Sequence, residues 1–155
     1  MVLAYGTNES GFPKFVDSTW AGEMKAVVRR LQSALPGTSI LLMSPMDRGE
    51  RNDRGEIETI ATMPRLVKIE AKVAEETGVA FFNTFQAMGG DGTMARWYAA
   101  EPRLVGADYI HPMPAGAKIV GELLYGALRD GYNAYKLRQL KSTEGSITPE
   151  GSIKK

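Results

Sequence analysis

Apolar residues enter this chain in two rhythms. The first is short unbroken runs: Val2-Leu3-Ala4-Tyr5, stopped by Gly6; Ser39 to Met43, closed by Ser44-Pro45; and Val79-Ala80-Phe81-Phe82. Runs of this length predict buried strands. The second is a spacing of three and four. Met24, Val27, Val28, Leu31 and Leu35 make one face of a helix over Trp20 to Leu35, ended by Pro36-Gly37. Leu66, Ile69, Val73 and Ala74 make such a face on a helix that begins at Pro64 and stops at Gly78. Met94 to Ala100 reads as a short helix. Pro114 to about Leu140 reads as a long one, with Ile119, Leu123, Leu124, Ala127 and Leu128 on one side and a kink or end at Gly131.

Strands that alternate with helices imply a parallel sheet with helices on its faces. The expected fold class is therefore α/β. Sheets of this kind carry their sites at the carboxyl ends of the strands. That rule selects Gly6 to Ser10, Ser44 to Arg48 and Thr84 to Gly92.

Composition narrows the function classes. A length of 155 residues suits one domain, and 43% apolar with 24% charged residues is ordinary for a globular protein. A net charge of +1 gives no electrostatic reason to expect nucleic acid or a membrane surface as partner. Without cysteine there are no disulfides and no thiolate metal sites. No apolar run approaches the roughly 20 residues of a membrane span. The chain reads as a strand from its first residue, so we expect a cut or late start at Met1. A targeting segment upstream would put the protein in the cell envelope or outside the cell. We expect residues 1–141 to form the domain. Residues 142–155, polar and twice reading Glu-Gly-Ser-Ile, are expected to be a mobile tail.

His111 is the only histidine, and Asp108 precedes it by three residues. That spacing is common by chance, and by itself a structural histidine is the first reading. Position changes the balance. Asp108-Tyr109-Ile110-His111 sits just before the last helix, and Gly6-Thr7-Asn8-Glu9 sits where the first strand ends. Both fall on one edge of the inferred sheet. An aspartate there can orient one ring nitrogen of His111 and leave the other to take a proton from a nucleophile. Asn8 can present its amide to a developing oxyanion, helped by the N–H of Gly6 or a neighbour.

These residues resemble the SGNH (GDSL-like) ester hydrolases. Gly6-Thr7-Asn8-Glu9 is similar to their third block, usually Gly-x-Asn-Asp, and Asp108-x-x-His111 is similar to their fifth. Leu42 to Pro45 and the Gly-Gly-x-Gly-Thr-Met loop with Trp97 after it add to the likeness, which runs to about Arg129. The resemblance implies a flavodoxin-like three-layer α/β/α fold with a parallel sheet, incomplete here because the first strands are missing. It implies that Asp108 and His111 are triad acid and base, and that Asn8 and Gly6 belong to the oxyanion hole. Thr7, Glu9 and Trp97 become possible substrate contacts. Glu9 in place of Asp resembles the peptidoglycan O-acetylesterase members. The substrate class implied is an ester of a carbohydrate or lipid, with no cofactor.

The family's Gly-Asp-Ser nucleophile block precedes the third block, and no Gly-Asp-Ser occurs in this chain. Ser10 and Ser44, the serines near strand ends, read as loop-ordering and turn-capping residues. The expectation is part of a serine ester hydrolase, inactive by itself, whose nucleophile lies elsewhere. The alternative is a non-catalytic binding module that keeps the cleft. In the family, the nucleophile strand lies beside Val2 to Tyr5. We therefore expect that apolar edge to be covered by a complementary N-terminal segment, by a second copy of the chain, or by its own tail. Met46 to Glu58 reads as a solvated charged loop or as a lid over a polar substrate. Gly89-Gly90-Asp91-Gly92 lacks the Lys-Ser/Thr of a phosphate loop. No spacing of acidic residues with the one histidine makes a metal site.

Overall fold

The structure is a computed structural model and describes residues 1–144. Its elements are β1 (Val2–Ala4), α1 (Pro13–Phe15), α2 (Ala21–Ala34), β2 (Leu41–Met43), β3 (Gly49–Arg51), β4 (Ile57–Thr59), α3 (Met63–Thr77), β5 (Ala80–Phe82), α4 (Thr84–Ala87), α5 (Thr93–Ala99) and α6 (Pro114–Glu144). A 3-10 turn covers Glu9–Gly11, and a π turn over Val16–Trp20 joins α1 to α2. The contacts group into two units, Met1–Leu123 and the remainder from Leu124.

In the first unit β1, β2 and β5 form a parallel sheet in that order. Leu3, Leu42 and Phe81 stand in register across it. They pack on Val16, Trp20, Met24, Val28, Leu66, Val73 and Ala74, the inward faces of the π turn, α2 and α3. The helical stretch before β2 starts at Pro13, seven residues earlier than its apolar spacing predicts. Val16 and Trp20 continue the face of Met24 and Val28 at intervals of four, and Pro13 is compatible with a first helical turn. Gly78 ends α3 in the left-handed conformation at φ 69°, with its N–H on the last-turn carbonyls.

β1 departs from the expected buried strand. Leu3 is buried, while Val2, Ala4 and Tyr5 are exposed. An unbroken apolar run suggests burial on both faces, but only the α2/α3 face is covered. β1 is also the sheet's edge, and among the described residues nothing pairs with its outer side.

The charged stretch after Met46 is a hairpin, where an irregular loop was expected. Gly49, Glu50 and Arg51 pair antiparallel with Thr59, Glu58 and Ile57. Asn52 closes the turn by accepting the N–H groups of Arg54 and Glu56, both at 3.0 Å.

A second core joins Met88, Met94, Trp97 and Val105 to Leu104 and to Ile119, Val120 and Leu123 on the first turns of α6. Gly116 makes this contact possible. A Cβ there would lie 2.1 Å from the Leu104 carbonyl oxygen and 3.0 Å from the Trp97 ring. Gly116→Ala should therefore cost roughly 1–3 kcal/mol of stability or more, the range for overpacking. Denaturant titration of parent and variant measures it. Gly121→Ala, where nothing lies within 4 Å, serves as the comparison and should be neutral or slightly stabilising.

From Leu124 the second unit continues α6, passing Gly131 without a break and running three residues into the stretch expected to be a tail. The rest of that stretch lies outside the described residues. Tyr125, Leu128, Tyr132, Tyr135, Leu137 and Leu140 of this unit are exposed.

Candidate active site

The backbone between the second core and α6 makes a tight turn. The Gly106 N–H donates to the His111 carbonyl at 2.8 Å, and the Tyr109 N–H to the Gly106 carbonyl at 3.1 Å. Inside it, Asp108 Oδ1 accepts the backbone N–H groups of Ile110 at 3.0 Å and His111 at 3.1 Å. Its other oxygen, Oδ2, lies 2.6 Å from His111 Nδ1. The expected hydrogen bond between Asp108 and His111 is thus present.

The bond to the imidazole, then those two N–H groups, holds the Asp108 carboxyl down at about 2. It remains a carboxylate through the neutral and mildly acidic range. The side chain of His111 is 80% exposed, so the imidazole is open to an incoming group. Tyr109 has φ 59°, the left-handed region. For a bulky residue this costs on the order of 1–3 kcal/mol and persists only where its surroundings enforce it.

The loop after β1 carries the other candidate residues. Gly6 turns at φ 104°, and a Cβ there would fall 2.8–2.9 Å from Leu66, Glu70 and Pro45. Only glycine fits. The Gly6 N–H donates to Glu9 Oε2 at 3.1 Å, so Glu9 closes the loop on itself and takes up that N–H. Gly6 shapes the turn here, and its N–H is not free for an oxyanion. Asn8 is exposed, and its side-chain amide makes no hydrogen bond among the described residues. Thr7 contributes its carbonyl, which accepts from Ser10 Oγ at 2.6 Å and from Arg48 Nη1 at 2.9 Å.

The two serines near strand ends are buried and occupied. Ser10 bonds within its loop. Ser44 Oγ donates to the Pro45 carbonyl at 3.2 Å and accepts the Phe85 N–H at 3.4 Å. Trp97 is 8% exposed in the second core, so its ring is not offered to a sugar. Among the described residues no cluster of three or more acidic or histidine side chains could hold a metal ion, and no helix is long and apolar enough to cross a membrane.

Three residues of the site were not singled out from sequence. Arg48 binds the Asn8 loop. Tyr109 carries the strained turn between Asp108 and His111. Glu70 of α3 is fully buried beneath Gly6, and among the described residues neither of its oxygens has a hydrogen-bond partner. Burial raises the Glu70 carboxyl to about 8. The Trp20 indole offsets part of this without reaching hydrogen-bond geometry, and the nearby Glu9 charge adds to it.

A parallel sheet that sets an aspartate-oriented histidine and an amide-bearing loop beyond its strand ends is the architecture of the SGNH hydrolases. The chain belongs to the GDSL-like lipase/acylhydrolase family, whose model matches residues 1–119. Solved structures share the fold. A structure titled "Peptidoglycan O-acetylesterase in action" matches with a TM-score of 0.76 and 21% identity, over 86% of this chain and 37% of that one. An acetyl-xylooligosaccharide esterase from Geobacillus stearothermophilus matches with a TM-score of 0.56 and 21% identity, over 79% of this chain and 56% of that one. The same esterase was also solved as two catalytic mutants, at an aspartate and at a histidine three positions further on. The chain thus spans well under two thirds of the proteins it matches. No curated protein matches it.

Proposed function

We propose that this chain supplies the acid, the base and an oxyanion donor of a serine ester hydrolase whose nucleophile serine is not among its own residues. The observation that carries this reading is the 2.6 Å contact between Asp108 Oδ2 and His111 Nδ1, with the imidazole otherwise exposed. Asp108 fixes the proton on Nδ1. Nε2 then takes the proton of a serine hydroxyl as that oxygen attacks an ester carbonyl. The Asn8 amide donates to the oxyanion. His111 passes the proton to the departing alcohol, and water repeats the sequence on the acyl-enzyme.

The aspartate and histidine mutated in the Geobacillus esterase have the same spacing as Asp108 and His111, which supports these roles. An O-acetyl ester of a carbohydrate is the substrate class we infer, because two of the matched folds act on such groups. The nucleophile segment would pair with the open edge of β1. A second copy of the chain is the competing occupant of that edge. A binding module without catalysis is the second reading, favoured by the engagement of both Ser10 and Ser44 in backbone bonds.

The chain alone is expected to leave an activated acetyl ester essentially unhydrolysed and to take up no fluorophosphonate label. Intact-mass measurement after labelling checks this. Stoichiometric label on Ser10 or Ser44 would contradict it.

A further inference from the structure

Three residues of one short segment after β2, Arg48, Gly49 and Arg51, bond to the Asn8 loop and to the Asp108–His111 turn. Arg48 grips the Asn8 loop: its Nη1 donates to the Thr7 carbonyl at 2.9 Å and to the Ser10 hydroxyl at 3.2 Å. Those two residues bracket Asn8 and Glu9. Gly49 and Arg51 grip the turn that carries Asp108 and His111. The Gly49 N–H donates to the Tyr109 carbonyl at 2.9 Å, and Arg51 Nε donates to the Tyr109 hydroxyl at 2.8 Å. Tyr98 closes edge-on against the same ring, with centroids 4.9 Å apart. A Cβ on Gly49 would stand 2.9 Å from the Cβ of Tyr109, so glycine is what lets the hairpin come this close.

The segment is itself anchored. Asp47 is buried, and its carboxylate accepts the Thr59 hydroxyl and the Met94 N–H, both at 2.8 Å. Thr59 Oγ1 in turn accepts the Gly92 N–H at 2.8 Å. Buried hydrogen bonds to a charged group are the strong ones. The left-handed backbone of Tyr109 needs such support, because it separates Asp108 from His111 and so sets the angle between carboxylate and imidazole.

We propose that Asp47 to Arg51 are a strut that holds the Asn8 loop and the Asp108–His111 turn in one geometry, with Arg48 and Arg51 as positioning residues. Its purpose rests on the esterase reading, but its existence can be tested without turnover. His111 is the only histidine, so the long-range proton–nitrogen spectrum of its neutral imidazole reports the tautomer directly. In the parent the proton sits on Nδ1. Asp108→Ala should release it to a mixture of both nitrogens. Arg51→Ala should produce part of that shift, and should add nothing on top of Asp108→Ala. Arg51→Lys keeps a donor and should stay near the parent. Arg54→Ala, at the exposed hairpin turn, should leave the spectrum unchanged. On the other arm, Arg48→Ala removes both bonds to the loop and should speed amide exchange within Gly6 to Gly11 by about tenfold or more, whereas parent-like exchange there would overturn the Arg48 arm.

A parent-like spectrum for Arg51→Ala beside a shifted one for Asp108→Ala overturns the strut and leaves the esterase reading intact. No shift in Asp108→Ala overturns the pairing beneath that reading instead. Should Arg51→Ala fail to fold, Tyr109→Phe removes one hydroxyl only. A partial shift there supports the strut, and a parent-like spectrum overturns it.

Discussion

In the proposed assembled esterase, Asp108→Asn should lower turnover by about 10³–10⁴, with little change in KM. The size follows from the geometry. Asp108 Oδ2 is the one carboxylate oxygen facing His111 Nδ1, and Oδ1 is committed to two backbone N–H groups that hold the turn. An amide in this place can keep the turn. It can also present NH₂ to Nδ1, which puts the imidazole proton on the wrong nitrogen. His111→Ala should cost at least as much, and the double variant no more than the larger single loss, because the pair acts as one unit. Steady-state kinetics of the two single variants and the double checks this. Multiplying losses would mean that the residues act separately.

Glu70→Gln should flatten the pH dependence of stability. Glu70 is buried without a hydrogen-bond partner among the described residues, and its carboxyl is raised from 4.5 to about 8 in the fold. Folding therefore favours the protonated acid. The sign follows: stability from this group is fully present below about 4.5 and is lost as pH rises through about 8. By pH 8 the loss is on the order of 4 kcal/mol. Glutamine carries no ionisable proton, so the variant's curve should be flatter over that range and should lie above the parent's at pH 8. Urea denaturation at a series of pH values measures it, and parallel curves would contradict it. Ionised Glu70 would also face Glu9, whose carboxylate holds the Gly6 N–H. The Asn8 loop should therefore loosen as Glu70 ionises.

How far the sequence carried the reading depends on the physics behind each element. Leu3, Leu42 and Phe81 face α2 and α3, and the unbroken apolar runs around them let pattern alone find the three sheet strands. Asp108 and His111 could be read because one short turn contains both partners. The hairpin was hidden by its own charges. Glu50, Arg51, Glu56 and Glu58 leave no apolar alternation, and the buried Asp47 that anchors it looks like any loop acid. Arg48 lay inside a strand-end window that the parallel-sheet rule had selected, but its bonds run to loop residues some forty positions away. The left-handed Tyr109 has no signature in a one-dimensional pattern. Glu70 did have one. It stands four residues after Leu66 and three before Val73, the spacing of the buried face of α3, and a carboxyl at such a position is a warning.

One labelling experiment goes to the centre of the proposal. The chain is expressed with a family nucleophile segment carrying Gly-Asp-Ser ahead of Met1, or supplied in trans, and is treated with fluorophosphonate. Stoichiometric label on that serine is expected, falling by about 10³ in rate or more with His111→Ala. Label that forms equally well without His111, or that lands on Ser10 or Ser44, would contradict it.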